Sequence, residues 1–564
     1  MLLAELSVLV ADCQATGATP AHGSLLELAW AVARPGAPVE VRSHTIALPA
    51  GQHVPPIVSR VTGITDADMT GAIGDAEAWA GLRAEAAALA RALALGDGLV
   101  PTVIHFAHFE QRFLRDVHQR AGEGAFPLEI VCAHDIARRL MPELPRRNLR
   151  ALAGYYGHGL HLFRRSRGHA EATAFVWRHL VGDLATRGIT TWAELATWLE
   201  DRSPVSRQRR AFPLPRARRL ELPDAPGVYR FLRSNGDILY VGKAASLKKR
   251  VSSHYTQATS VARANDRSLE MLTQAREVRV TPTASALEAA LLETDEIKLH
   301  DPPYNVQLRE HGRAAWFSSI ELDDAAPSPD DHFRWGPLPS RRAVLPLGAV
   351  RDLHAGAQAT PELRARALGI ANPRWAPEPE MFAAGWAAFV EQQLAPARSR
   401  SAWGTVRKAS RTLLRQMSDV GLEEGEPDDS GERPWTVDRV RRHLERAVAA
   451  SALLLRRARW LCLLADGAVC FREAGADKRR LLVHAAGQSV LSRDVEEGEA
   501  IRAPEEPRRW RERQCCFDAA RYDRVRVLAT ELKRVVAEGG EVAVLLDPRR
   551  TLEGERLGKL LRWV

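Results

Sequence analysis

Cysteine is scarce in this chain, with six residues in 564. Neither Cys462 with Cys470 nor the adjacent Cys515 and Cys516 forms a C-x-x-C pair or any four-ligand spacing. That argues against a disulfide framework and a cysteine-built zinc or iron–sulfur centre, and it suits a reduced, cytoplasmic setting. Long apolar runs are missing too. No stretch approaches the roughly eighteen apolar residues that a membrane span needs. The opening MLLAELSVLVADCQATGA imitates a short signal peptide. Glu5 interrupts it, however, and no basic residue precedes its apolar part, so it reads as a buried first strand. Negative charge is in deficit: 70 Asp and Glu against 79 Lys and Arg leave a net +9. A composition rich in arginine and alanine explains that balance as readily as a polyanionic partner does, so clustering has to separate the two.

What is present is ordinary globular material, 45% hydrophobic and 26% charged. The length suits about three domains. The most organised stretch is 226–256, PGVYRFLRSNGDILYVGKAASLKKRVSSHYT. Two apolar runs flank Ser234-Asn235-Gly236-Asp237, and Asn-Gly between apolar runs is a strong hairpin signal because both residues tolerate positive φ. A symmetric loop pairs 231 with 240 and 229 with 242. Tyr229 and Tyr240 then share a face as diagonal neighbours, which a one-residue slip would undo. After Gly242 the period turns helical through Leu247, Arg250 and Val251, with Lys248 and Lys249 beside them. Two phenols on a small sheet beside Lys243, Lys248, Lys249 and Arg250 make a plausible phosphate site.

Further on, 277–283 suits a third strand, and Ser285 to Glu288 is a capping box opening a helix. Ala286, Ala290, Glu293 and Ile297 form one stripe of that helix, so Glu293 interrupts an apolar face. A carboxylate there costs several kcal/mol unless it is paired or metal-bound. A salt bridge and a cation both remain open.

Gly227-Val228-Tyr229, Tyr240-Val241-Gly242, the LKKR segment and ALLETDEIKLHDPPYNV together resemble the GIY-YIG nuclease family. The version most similar is that of the bacterial excision-repair endonucleases UvrC and Cho. The resemblance implies one-metal cleavage of a phosphodiester. Glu293 would ligate Mg²⁺ or Mn²⁺. Tyr229, aided by Tyr240, would take a proton from water, with nearby cations lowering its pKa. Arg250 would stabilise the phosphate, Lys243 and Asn305 would support it, and Lys248 and Lys249 would meet DNA. It implies damaged or structured double-stranded DNA as substrate and a UvrA–UvrB-type complex as a possible loader.

The first 185 residues read as α/β. Strands are expected over 6–10 (ending at Asp12), 25–32, 42–48 and 100–106. Helices are expected over 81–95, 109–119, 136–140, 150–156 and 170–180. ADCQATGATP, VPPIVSRVTGITDADM, PTVIHFAHFEQRFL and GHAEATAFVW resemble, in order, the motifs of the DEDDh or DnaQ-like exonucleases, whose RNase H-like fold holds two cations between four carboxylates. Residue by residue the match is eroded. Asp12 keeps the first acid, Gln14 replaces the second, Glu110 stands for the third, and His169 falls at the fourth. Arg164 stands where the family's base is, and a guanidinium cannot serve as one near neutrality. The resemblance implies a degenerate site in a fold retained for binding or docking. An active 3′–5′ exonuclease and a wholly non-catalytic DNA-binding or recruitment protein are the alternatives.

The expected organisation is α/β and α+β multidomain: an exonuclease-fold domain over 1–185, a basic Pro/Arg linker over 186–220, a GIY-YIG domain over 221–309, a UvrC/Cho-like extension over 310–395, and a mixed α/β region of unknown role over 396–564. The linker holds a short helix, 191–199. In the extension, Trp335, Arg341 and Arg342 suit either a DNA contact or a packed turn. The last region reads as a helix over 437–455, a hairpin of 460–464 with 468–471 around Asp466-Gly467, a strand over 481–484, a helix over 519–537 and a strand over 541–546.

Overall fold

The computed structural model describes residues 1–96, 98–122, 124–159, 164–201, 210–259, 265–306, 315–417, 434–496, 499, 501, 517–547 and 550–561. Contacts divide it into two compact units. One is Met1–Pro282 with Pro302–Tyr304, and the other is Thr283–Asp301 with Asn305–Val564. Among the described residues no helix is long and apolar enough to cross a membrane.

The first unit opens with strands β1 (Val8–Ala15), β2 (Leu25–Ala33), β3 (Arg42–Thr45), β4 (Val100–Ile104) and β5 (Leu128–Cys132). Their spatial order is β3-β2-β1-β4-β5. β1 pairs antiparallel with β2 and parallel with β4, and β4 with β5 is parallel. Apolar clusters lie on both faces of this sheet. That is why β1 and β2 read as continuous apolar runs rather than alternating ones. β1 runs to Ala15, past the expected end at Asp12, so Asp12 sits inside the strand, opposite Ala29. Helix α1 (Ala107–Arg120) carries Glu110, α2 is Leu149–Tyr155, and α3 (Ser166–Thr186) carries His169. Buried Glu27 sets the start of α3. It accepts the Ser166 N–H at 2.7 Å and pairs with Arg165 at 2.9 Å, a carboxylate placed at the positive end of the helix dipole.

A second sheet has order β7-β6-β8, from β6 (Gly227–Leu232), β7 (Ile238–Ala244) and β8 (Glu277–Pro282). Its register puts Tyr229 opposite Gly242 and Phe231 opposite Tyr240, as the hairpin rule requires. The turn works differently from expectation. Gly236 alone takes positive φ, at +90°. Asn235 instead acts through its side chain, accepting the Asp237 N–H at 3.0 Å. Helices α4 (Leu247–Thr259) and α5 (Asp266–Gln274) cover the sheet. Helix α5 also packs on α2. There, Glu270 accepts from Asn148 at 2.6 Å and from the Tyr304 hydroxyl at 2.6 Å, and Gln274 bonds Tyr304 and Arg233. This buried polar network, fully paired at those atoms, ties the two sheets' layers together.

The expected basic linker is only partly one. Helix Trp192–Glu200 forms behind a Thr191–Glu194 capping box. Residues 202–209, like Cys515 and Cys516, lie outside the described residues. The rest is packed. Leu214 is 2% exposed in the second sheet's core, Arg210 donates to the Ala258 carbonyl, and Arg219 sits 3.8 Å over the Tyr255 ring. The arginine-rich composition concealed this apolar anchor.

The second unit begins with helix α6 (Ala286–His300). Its Ser285 cap accepts the Glu288 N–H at 3.1 Å. A three-stranded sheet follows, from β9 (Trp316–Ser319), β10 (Ala325–Ala326) and β11 (Phe333–Leu338). Exposed Arg341 pairs with Asp324 and exposed Arg342 donates to the Ala371 carbonyl. The C-terminal sheet has order β14-β13-β12-β15-β16: β12 (Gly467–Arg472), β13 (Arg479–Ala485), β14 (Gln488–Val495), β15 (Glu541–Asp547) and β16 (Arg550–Glu553). Every pairing in it is antiparallel. Here the expected hairpin is corrected. Residues 460–464 are the last turn of α7 (Val437–Leu464), and Asp466-Gly467 joins helix to strand. Trp460, Leu461 and Leu464 recur at helical spacing in the core, and a short apolar run fits either period. Helix α8 (Ala519–Ala537) packs beside α6 and α7.

Removing the linker's anchor tests its packing. Leu214→Ala is expected to cost about 2–5 kcal/mol through transfer and cavity terms, read as a lowered denaturation midpoint. Exposed Arg218→Ala is expected to stay within about 0.5 kcal/mol.

Candidate active site

Tyr229 is fully buried in the centre of its sheet. Its ring lies 6.0 Å from that of Tyr240, centroid to centroid. Gly242 makes this possible. A Cβ there would stand 2.5 Å from the Tyr229 hydroxyl oxygen, so the paired position admits no side chain. The hydroxyl oxygen lies 2.7 Å from His254 Nε2 on α4, and it also hydrogen-bonds Arg250 and Tyr240. His254 is a residue that the sequence reading missed. The signal was there, since it continues the 247, 250, 251 stripe by one more step.

Burial, then Tyr240, pushes the Tyr229 phenol well above its ordinary value, and Arg250 only partly opposes them. This corrects the expectation that nearby cations would lower it, because desolvation of a phenolate outweighs one exposed guanidinium. The same burial, with Arg250 adding to it, pushes His254 down to about 4. Near neutral pH the pair is therefore a neutral phenol against a neutral imidazole. Arg250 stands exposed at the rim, Lys243 is half-buried on β7, Lys248 is half-buried, and exposed Lys249 pairs with Asp224 at 3.6 Å.

Glu293 and Asn305 belong to the second unit. Glu293 is half-buried on α6, between buried Ala290 and Ile297, and Asn305 is buried at 6% exposure. Asp295 is exposed, and Glu296 is itself buried.

In the first unit, Asp12, Gln14, Glu110 and His169 line a cavity of about 570 Å³ together with His105, Phe106 and Arg150. Asp12 Oδ1 is 3.2 Å from His169 Nδ1, and Gln14 Nε2 is 3.4 Å from the same nitrogen. Burial and the Asp12 charge raise Glu110 well above the carboxylate range, and the two carboxyl groups hydrogen-bond. Arg164 is exposed and does not line the cavity. Among the described residues no group of three or more His, Cys, Asp or Glu is arranged to hold a metal ion.

Residues 225–306 match the family described as the UvrC-like GIY-YIG domain. This stretch is a UvrC-like GIY-YIG domain. A protein of Mycobacterium tuberculosis (strain CDC 1551 / Oshkosh), named a bifunctional exonuclease/endonuclease, is 31% identical over 278 residues, 49% of this chain and 39% of that protein. That shared length exceeds the GIY-YIG domain, in keeping with an exonuclease–GIY-YIG fusion. UvrABC system protein C of Sphingopyxis alaskensis is 49% identical over 90 residues, 16% of this chain and 13% of its own length. This chain thus spans well under half of either relative. Among solved structures, the magnesium-bound GIY-YIG N-terminal endonuclease domain of UvrC from Thermotoga maritima is 31% identical over 16% of this chain and 94% of that one, with a TM-score of 0.15. Exonuclease I of E. coli in complex with a dA16 oligonucleotide is 12% identical over 72% of this chain and 99% of that one, with a TM-score of 0.27.

The titration of His254 within the GIY-YIG domain has a testable consequence. Its imidazole titrates near 6.5 when unfolded and at about 4 when folded. Between these values the unfolded chain takes up a proton that the folded chain refuses. Stability is therefore full above about pH 6.5 and falls as pH drops towards 4. His254→Gln is expected to flatten that fall, measured as denaturation midpoint against pH for variant and parent.

Proposed function

We propose that this protein is a divalent-cation-dependent DNA endonuclease that incises a phosphodiester through its GIY-YIG domain, in repair of the nucleotide-excision type. The observation that carries the reading is the cluster of buried Tyr229 with half-buried Tyr240 and His254, with Arg250 at its rim, held by a register that only glycine at 242 permits. Arg250 donates its planar fork to a phosphate oxygen and stabilises charge in the transition state. Lys243 adds a point charge, and Lys248 and Lys249 face the duplex backbone. A free phenolate at Tyr229 is disfavoured by burial. Tyr229 therefore takes the attacking water's proton while passing its own to neutral His254, which avoids charging the phenol. Tyr240 packs against Tyr229 and keeps its hydroxyl aimed, and Asn305 orients groups near the reacting phosphate.

Glu293 is the residue that would hold the cation. A half-buried carboxylate suits Mg²⁺ or Mn²⁺, ions that take one or two carboxylates and keep several waters. The cation would polarise the phosphate and steady the leaving 3′-oxygen. The N-terminal donor set does not fit the two-cation site of an exonuclease. One acid position holds the amide of Gln14, burial and the Asp12 charge hold Glu110 well above the carboxylate range, and His169 is engaged by Asp12. We read that domain as an RNase H-like exonuclease fold kept for binding or docking. A UvrA–UvrB-type complex is the proposed loader and the cytoplasm the proposed setting.

The test is nicking of an end-labelled, damaged duplex with Mg²⁺ or Mn²⁺. Tyr229→Phe and His254→Gln are each expected to lose about 100-fold or more in rate, the scale of general acid–base catalysis. Glu293→Ala is expected to be inactive, and equal nicking by that variant would sink the metal assignment. On a 3′-labelled strand, parent and Asp12→Ala are expected to release no nucleotides. Release that disappears in Asp12→Ala would revive the exonuclease reading.

A further inference from the structure

Helix α6 carries Glu293, and its other side is clasped by the C-terminal layer of the same unit. Glu288, Leu291, Asp295 and Lys298 recur at steps of three, four and three, which puts them on one face. Each meets the C-terminal layer. Glu288 accepts from Arg480 at 2.6 Å and from Ser492. The Leu291 carbonyl accepts from Arg524 at 3.4 Å, and Asp295 pairs with the same guanidinium. Lys298 lies 2.8 Å from Asp523, with side chains 7% and 4% exposed. At the helix start, Glu473 accepts the Ala286 and Leu287 N–H groups at 3.2 Å each and pairs with Arg534. Leu287 and Leu291 sink into a core with Val525 and Leu528 of α8. Glu293 is two residues from Leu291, about 200° around the helix, and so lies on the face turned away from these contacts.

The Lys298–Asp523 pair needs an explanation. A buried ion pair stabilises little relative to apolar residues of the same volume, yet losing one partner strands a buried charge. What such a pair does supply is a fixed geometry. Two more charged contacts on the same helix, through Arg524 and Arg480, fix its axial register and its rotation.

We propose that the C-terminal layer is a positioning platform for Glu293, with Asp523 and Arg524 as positioning residues that set where its carboxylate stands. The proposal rests on reading Glu293 as the cation ligand. It also assigns a role to the region that sequence motifs leave without one: the GIY-YIG domain borrows the support of its metal-ligand helix from the layer that ends the described chain.

The experiment uses the full chain and two readouts, Mn²⁺ binding measured by the electron paramagnetic resonance of free Mn²⁺, and nicking kinetics. Lys298→Met and Asp295→Asn each release one clasp. Asp295 is itself half-exposed, so that second variant is the one expected to fold without difficulty. Both are expected to weaken Mn²⁺ binding and to lower kcat by about 10-fold, while KM for DNA stays unchanged, because displacing a ligand costs on this scale without touching substrate contacts. Lys298→Arg, which keeps the charge, is expected to stay near the parent. Mn²⁺ affinity and kcat near the parent's in folded Asp295→Asn protein would overturn the proposal. Glu293→Ala separates the two claims. If that variant binds Mn²⁺ as tightly as the parent, the ligand assignment itself fails. If it alone loses Mn²⁺ while the clasp variants do not, only the platform fails.

Discussion

The contact on which the candidate chemistry depends is between a buried phenol, Tyr229, and a half-buried imidazole, His254, 2.7 Å apart. Neither side chain is charged near neutrality, for one physical reason. Burial penalises the phenolate and the imidazolium alike, so the first pKa rises and the second falls to about 4. The hairpin register and Gly242 bring the Tyr229 hydroxyl to that contact, and α4 brings His254.

The N-terminal cavity obeys the same rule with a different outcome. There burial, and after it the Asp12 charge, act on Glu110 and hold its carboxyl well above the ordinary range. The surrounding residues, Gln14 and His169, bring no anionic charge to attract a cation. What remains is a well-formed fold around a hydrogen-bonded acid pair. Its α2 is used as a bearing surface for α5 through Asn148, Glu270 and Tyr304. In this chain the exonuclease-like domain contributes contacts to the GIY-YIG domain as concretely as it contributes a cavity.

Legibility in the sequence followed the range of the interaction. The Tyr229–Gly242 and Phe231–Tyr240 pairs were readable because a two-residue turn signal sets register locally. Helix 519–537 was readable because Gly539-Gly540 stops it, and in the structure Asp518 caps its start. The final turn of α7 was misread as a strand because five apolar residues fit both periods, and only the core packed around Trp460 and Leu464 selects helix. Strand β5 went unseen because its neighbours supply half of what makes it a strand. Leu214 was hidden by the arginines around it.

The sequence by itself determined the GIY-YIG hairpin, its phenol pair, the helix with Glu293, and the erosion of the N-terminal acids. These are statements about residue type at fixed spacing, and local backbone geometry carries them. Tertiary structure alone decided that His254 completes the phenol's hydrogen bonds, that the Tyr229 pKa rises rather than falls, and that Lys298 and Asp295 are clasped by Asp523 and Arg524. Each of those depends on what is buried against what. Burial is a property of groups more than two hundred positions apart in the case of α6 and α8, so no local pattern encodes it.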